Sequence, residues 1–177
     1  YDRPDRGDGA FATARQLYER AAAAAPTANA RFWARYGAAR VAPSDDERDK
    51  QLRAIIADET PVAIHAIEAR YRLADALRQD KRCGEAAPLY RLVAEGAARD
   101  PSPNAPSFRL AATLHRAEAE LCLRRDKRAI GIAATVFDQT GDVDLIDAAT
   151  EIIAFAMGRI AIDDAVVLRR RHARRAH

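Results

Sequence analysis

Two short patterns carry residue types that could hold a metal ion or move a proton: His65-x-x-Glu68 and His115-x-x-Glu118. Residues three apart are neighbours on a helix, so each pair would share a face. Two imidazoles and two carboxylates on facing helices would make a nitrogen and oxygen ligand set for a divalent cation. Helical carboxylate-bridged iron sites use the opposite order, Glu-x-x-His, together with further glutamates. Neither condition is met, so the favoured reading is polar residues on a surface or along a groove, with no metal. Cys83 and Cys122 do not form a C-x-x-C pair, so a cysteine-rich zinc site is unsupported.

Catalytic patterns are missing as well. The chain has no Ser/His/Asp arrangement, no glycine-rich phosphate loop and no H-E-x-x-H. The acidic pairs Asp45-Asp46 and Asp163-Asp164 suit helix starts, where negative charge meets the helix dipole. No enzyme and no cofactor are expected. The tripeptide Arg6-Gly7-Asp8 lies in a polar, Gly- and Pro-containing start and reads as an ordinary turn. The net charge of +3 sits largely in the last nine residues, with Arg169, Arg170, Arg171, Arg174 and Arg175. This cluster is the one feature suited to phosphate, RNA or anionic lipid. A solvated helix end carrying favourable cations is the preferred reading.

The elements that must position these residues are helices. Of the 177 residues, 49% are hydrophobic, much of that alanine, and only 6% are aromatic. Alanine is the strongest helix former, and strand-favouring residues are sparse. No apolar run is long enough to span a membrane. The chain opens at Tyr1 rather than Met, so a fragment of a longer chain is expected and the compartment is left open.

Apolar stripes at three- and four-residue spacing predict about eight to nine helices. Phe11, Ala14, Leu17, Tyr18 and Ala21 share one face, and Pro26 ends their helix. Trp33, Tyr36 and Gly37 are expected on the inner side of the next. Ser44 and Glu47 form a capping box. Thr60 and Pro61 open a helix striped by Ile64, Ile67, Tyr71, Ala74 and Leu77. The following helix is expected to start near Gly84, which places Pro88 in its first turn. A seventh helix carries Ile130, Ala133, Val136 and Phe137 inward and stops at Gly141, with Asp142 capping the next. That eighth helix, about 143–157, is apolar on more than one side. Leu145, Ile152 and Phe155 on it form a candidate docking surface. Asp163 is expected to cap a last helix. The resulting division is a flexible loop over 1–9, a repeat domain over 10–162, and a C-terminal helix with basic tail over 163–177.

The hexapeptide LRQDKR at Leu77–Arg82 recurs as LRRDKR at Leu123–Arg128, 46 residues on. Each copy falls between two predicted helices, which reads as the turn of a repeated helical hairpin.

These residues resemble the tetratricopeptide repeat (TPR). In Ile67–Pro101, Leu73-Ala74, Leu77, Glu85-Ala86, Tyr90 and Val93 match its pattern, with Pro101 closing late. Gly9, Phe11, Ala14, Tyr18, Ala21 and Pro26 match the second half of a unit whose first helix would precede Tyr1. Trp33-x-x-Tyr36-Gly37 resembles the family's Trp-x-x-Leu-Gly, although Arg40 stands where an apolar residue is usual. Ala133 and Phe137 fit further on. The likeness covers roughly 9–140. It implies an all-α solenoid of stacked antiparallel hairpins, each burying its stripe only against the next. It also implies a groove lined by first helices, with Arg31, Ala34, Ala38, Glu68, Tyr71, Asp75, Arg78 and Gln79. There Arg31 and Arg78 would hold a carboxylate of a partner segment. In such a stack Cys83 and Cys122 come near each other, and a disulfide is possible. The implied function is non-enzymatic binding of a protein or peptide segment in this groove. The alternative is a structural subunit that self-associates or docks through its apolar C-terminal helix.

Overall fold

The computed structural model describes residues 9–58 and 63–175. Within them the chain forms eight helices and no strand: α1 (Gly9–Ala24), α2 (Ala28–Arg40), α3 (Asp45–Ala57), α4 (Ala63–Gln79), α5 (Cys83–Ala97), α6 (Ala105–Cys122), α7 (Asp126–Ala134) and α8 (Val143–Arg175). The Arg6-Gly7-Asp8 tripeptide and the Thr60-Pro61 helix start lie outside the described residues. No helix among them is long and apolar enough to cross a membrane.

Local chemistry sets most of the boundaries. The Thr27 hydroxyl accepts from the Ala30 amide at 3.1 Å and caps α2. Ser44 accepts from the Glu47 amide at 3.2 Å and caps α3. Asp142 accepts from the Asp144 amide at 3.0 Å and caps α8. Both long hairpin turns close identically. Arg82 N–H reaches the Leu77 carbonyl at 2.8 Å, and Arg125 N–H reaches that of Glu120 at 2.9 Å. Lys81 and Arg124 take the left-handed conformation, each with φ 61°. This is the double-bonded helix ending usually given to glycine, here built with basic residues.

That geometry corrects the register of the repeated hexapeptide. Lys81 and Arg124 are equivalent and stand 43 positions apart, whereas the two copies stand 46 apart. Both copies lie at hairpin turns, but the second is shifted by three residues. The structural repeat is therefore carried elsewhere. Ala86, Tyr90 and Val93 of α5 correspond to Ala129, Ala133 and Val136 of α7 and its following turn, and all six are fully buried.

Three expected boundaries differ. Pro88 is the sixth residue of α5 and lies inside the helix rather than in its first turn. The lost bond would have gone to Gly84, which is exposed, so water can serve that carbonyl. α7 ends at Ala134, and the chain tightens into three-residue turns, with Thr135 N–H on Ile132 and Val136 N–H on Ala133. The tighter winding keeps Val136 buried but turns Phe137 outward to 42% exposure. Asp163 caps nothing, because α8 runs uninterrupted through it.

The helices stack as a row. Every substantial packing contact joins helices adjacent or next but one in sequence. One cluster, built on Phe32, Leu52, Ile67, Leu73, Leu77 and Tyr90, fills the space from α2 to α6. A second, with Leu114, Ala133, Val136 and Ile152, joins α6, α7 and α8. α1 contributes no fully buried residue. Its Tyr18 ring lies so close to Gly37 that a Cβ there would fall 2.4 Å away. Gly37 therefore permits the α1–α2 approach, while Tyr18 stays 40% and Leu17 57% exposed. Cys83 opens α5, Cys122 closes α6, and the two are joined as a disulfide with Cα atoms 6.2 Å apart. The bond pins these helices antiparallel.

Candidate protein-interaction groove

The first helices of the hairpins, α2, α4 and α6, share one side of the stack. Between them opens a cavity of about 640 Å³. α2 contributes Asn29 and Trp33, one turn apart. α4 contributes Ile64, His65, Glu68 and Tyr71. The start of α6 contributes Asn104, Ser107, Phe108 and Ala111. Each set repeats at three- and four-residue spacing, so each is a single helical face.

Aromatic rings form the walls. The His65 ring stacks on Phe32 with centroids 4.1 Å apart, and Trp33 stands edge-on to both. Phe32 is 1% exposed whereas Trp33 is 46% exposed. The inward residue of α2 is thus Phe32, and its neighbour Trp33 faces the groove. Burial lowers the pKa of His65, because the charged imidazolium is poorly solvated there. On the other wall Tyr71 meets Phe108 edge-on at 5.7 Å and stacks near His115. Its hydroxyl and His115 Nδ1 are 3.1 Å apart.

The two His-x-x-Glu pairs therefore serve different surroundings, one in an aromatic stack and one in a hydrogen-bonded cluster. Among the described residues no three or more His, Cys, Asp or Glu side chains are grouped to hold a metal.

Beyond Tyr71 the groove runs into a polar cluster. Arg78 donates to Asp75 at 2.8 Å and to the Tyr90 hydroxyl at 3.2 Å, and pairs with Glu118 at 2.9 Å. Tyr90 donates to Asp75 at 3.3 Å, and Gln79 donates to the other Asp75 oxygen at 3.1 Å. Burial opposes the Arg78 charge, but the hydrogen bonds to Asp75 and Tyr90 outweigh it and raise its pKa. Glu68 lies nearer the cavity, 3.7 Å from Arg72.

Glu68 and Tyr71 border the cavity, and Asp75, Arg78 and Gln79 continue along the same helix into the polar cluster. Arg31 is exposed and does not line the cavity. Ala34 and Ala38 are buried at 8% and 6% exposure, and Ala38 borders a separate cavity among α1, α2 and α3. The paired-arginine clamp has no counterpart at this cavity: Arg31 is not among its lining residues, and Arg78 is already held by two carboxylates. Phe108 and Asn104 escaped the sequence reading, and Trp33 was expected on the inner side of α2 rather than in the groove. Adjacent aromatics at 32 and 33 do not declare which faces inward, and the α6 register was obscured by the preceding Pro- and Ser-rich connector. On α8, Ile152 is 7% exposed and Leu145 packs in the same core, so only Phe155, at 58%, faces solvent. The side chains of Arg169 to Arg175 lie outside the described residues.

No family model matches the chain, and no curated protein matches it. Two solved structures do match, both of a Podosopora anserina putative kinesin light chain with nearly identical TPR-like repeats. Each superposes at a TM-score of 0.64 with 19% identity. One comparison covers 94% of this chain and 88% of that one, the other 90% and 83%. The fold is a TPR-like helical-repeat solenoid.

Proposed function

We propose that this protein binds a segment of another protein in the groove of α2, α4 and α6 and performs no chemistry on it. The observation that carries this reading is the open, three-helix cavity with Trp33 half exposed on its wall. A large aromatic left in water beside other apolar groups marks a recognition surface. The cavity suits a bulky apolar side chain, with Asn29, Asn104 and Ser107 available to the peptide backbone around it. In the polar cluster Arg78 is already shared by Asp75 and Glu118, leaving no free cation for an acidic anchor, so the anchor is apolar.

Trp33 is the single tryptophan of the chain, and its fluorescence reports on the groove directly. Peptides selected from a random library against the protein should share one large apolar position and shift that emission. Trp33→Ala should weaken them by about 2 kcal/mol, roughly thirtyfold, as expected for an aromatic anchor. Peptides that bind Trp33→Ala and the parent equally would show that the groove is not the site. The second reading, assembly through α8, concerns a different surface and is favoured by the exposed Phe155.

A further inference from the structure

The cavity of α2, α4 and α6 is lined by one large ring from each helix, Trp33, Tyr71 and Phe108. Among the described residues that line it, Glu68 is the one carboxylate, and none is a lysine or arginine. Glu68 is largely withdrawn from water, with 14% of its side chain exposed. Arg72, half in water, pairs with it only at 3.7 Å, longer than a hydrogen bond. Arg40, in the last turn of α2, is exposed and does not line the cavity. One turn before Glu68 stands His65, 6% exposed, whose Nδ1 has no hydrogen-bond partner among the described residues. Burial opposes a positive charge on that ring, so His65 is a poor counter-ion for Glu68.

We propose that the segment bound in the groove is basic: beside its apolar anchor it carries a lysine or arginine whose cation sits at Glu68 among the rings. This rests on the groove being the binding site. A loosely paired carboxylate beside aromatic rings attracts a cation and repels an anion. The fold supplies its own example at the rim, where the Arg72 guanidinium lies over the Tyr71 ring at 5.9 Å. A volume of about 640 Å³ is that of a site for a drug-sized ligand, so two neighbouring side chains fit. The aliphatic stem of lysine or arginine would run along the rings while the charged head reaches the carboxylate. An acidic segment would set its own charge against Glu68, with only the distant Arg72 to offset it. The His65-x-x-Glu68 pair thereby gains a role without a metal, presenting an imidazole and a carboxylate to an organic cation.

A random peptide library panned in parallel on the full chain and on its Glu68→Lys variant tests this. Peptides from the parent should combine the large apolar position with a nearby lysine or arginine. Those from Glu68→Lys should keep the apolar position and lose the basic one. One parent-selected peptide is then titrated by Trp33 emission. Glu68→Gln should weaken it about tenfold with an unchanged circular dichroism spectrum. Replacing the peptide's basic residue by glutamine should cost the same on the parent and little more on Glu68→Gln. Arg72→Gln, which removes the competing cation, should tighten the peptide about threefold, and this variant decides the matter if Glu68→Gln does not fold. Peptides that depend on Trp33 but share no basic position overturn the proposal and leave the groove reading standing. So does a basic residue worth as much on Glu68→Gln as on the parent. Peptides indifferent to Trp33→Ala overturn both.

Discussion

Glu120 stands where the preceding hairpin has Leu77, since the carbonyl of each accepts the amide hydrogen bond that closes its turn. Leu77 is fully buried, and the Glu120 carboxylate, 2% exposed, occupies the same kind of place. It is held there by Arg128 at 3.1 Å and Arg125 at 3.4 Å, both largely in solvent. The carboxylate is buried while its two cations stand in water, and removing it without filling its volume leaves a void beneath them. Glu120→Ala should therefore cost about 3 kcal/mol in urea denaturation. Glu120→Leu, which restores the residue type of the preceding repeat, should be close to neutral. Equal losses in the two variants would mean that the ion pairs themselves stabilise the turn.

At the scale of the element, the hairpin turn is the unit that recurs, and it recurs with a flaw. Lys81 and Arg124 sit at positive φ, where a Cβ crowds the neighbouring carbonyl. Lys81→Gly and Arg124→Gly should each raise stability by about 1 kcal/mol, read as a higher denaturation midpoint at unchanged slope. The same turns show what the sequence could and could not convey. Alanine-rich stripes announced nearly every helix, and Ser44 and Asp142 marked two starts correctly. The hexapeptide pointed to the turns but not to their register, because the closing geometry depends on backbone conformation rather than residue identity. Asp163 carried the signature of a cap, yet an exposed acid inside a long helix carries the same one. The groove was half legible. The repeat resemblance pointed to Glu68 and Tyr71, which border the cavity, whereas α2, packed between neighbours, buries Ala34 and Ala38 and turns Trp33 outward. That choice is made by α1 and α3, and no local pattern encodes it.

For the molecule as a whole, the Cys83–Cys122 bond is the one covalent tie between hairpins, and it closes a segment with a sequence separation of 39. A loop of that size corresponds to about 4 kcal/mol of denatured-state entropy. Reduction, or Cys83→Ala with Cys122→Ala, should lower the guanidinium midpoint accordingly, with Cys122 open to the reductant. A midpoint unmoved by reductant would show that α5 and α6 hold together by packing alone. Among the described residues, substantial packing reaches no further than two helices along the chain. Distant parts consequently learn little of one another, and a tug on the two ends would be absorbed stepwise. α1, lacking any buried anchor, would peel away first, and the covalently clasped middle would yield last.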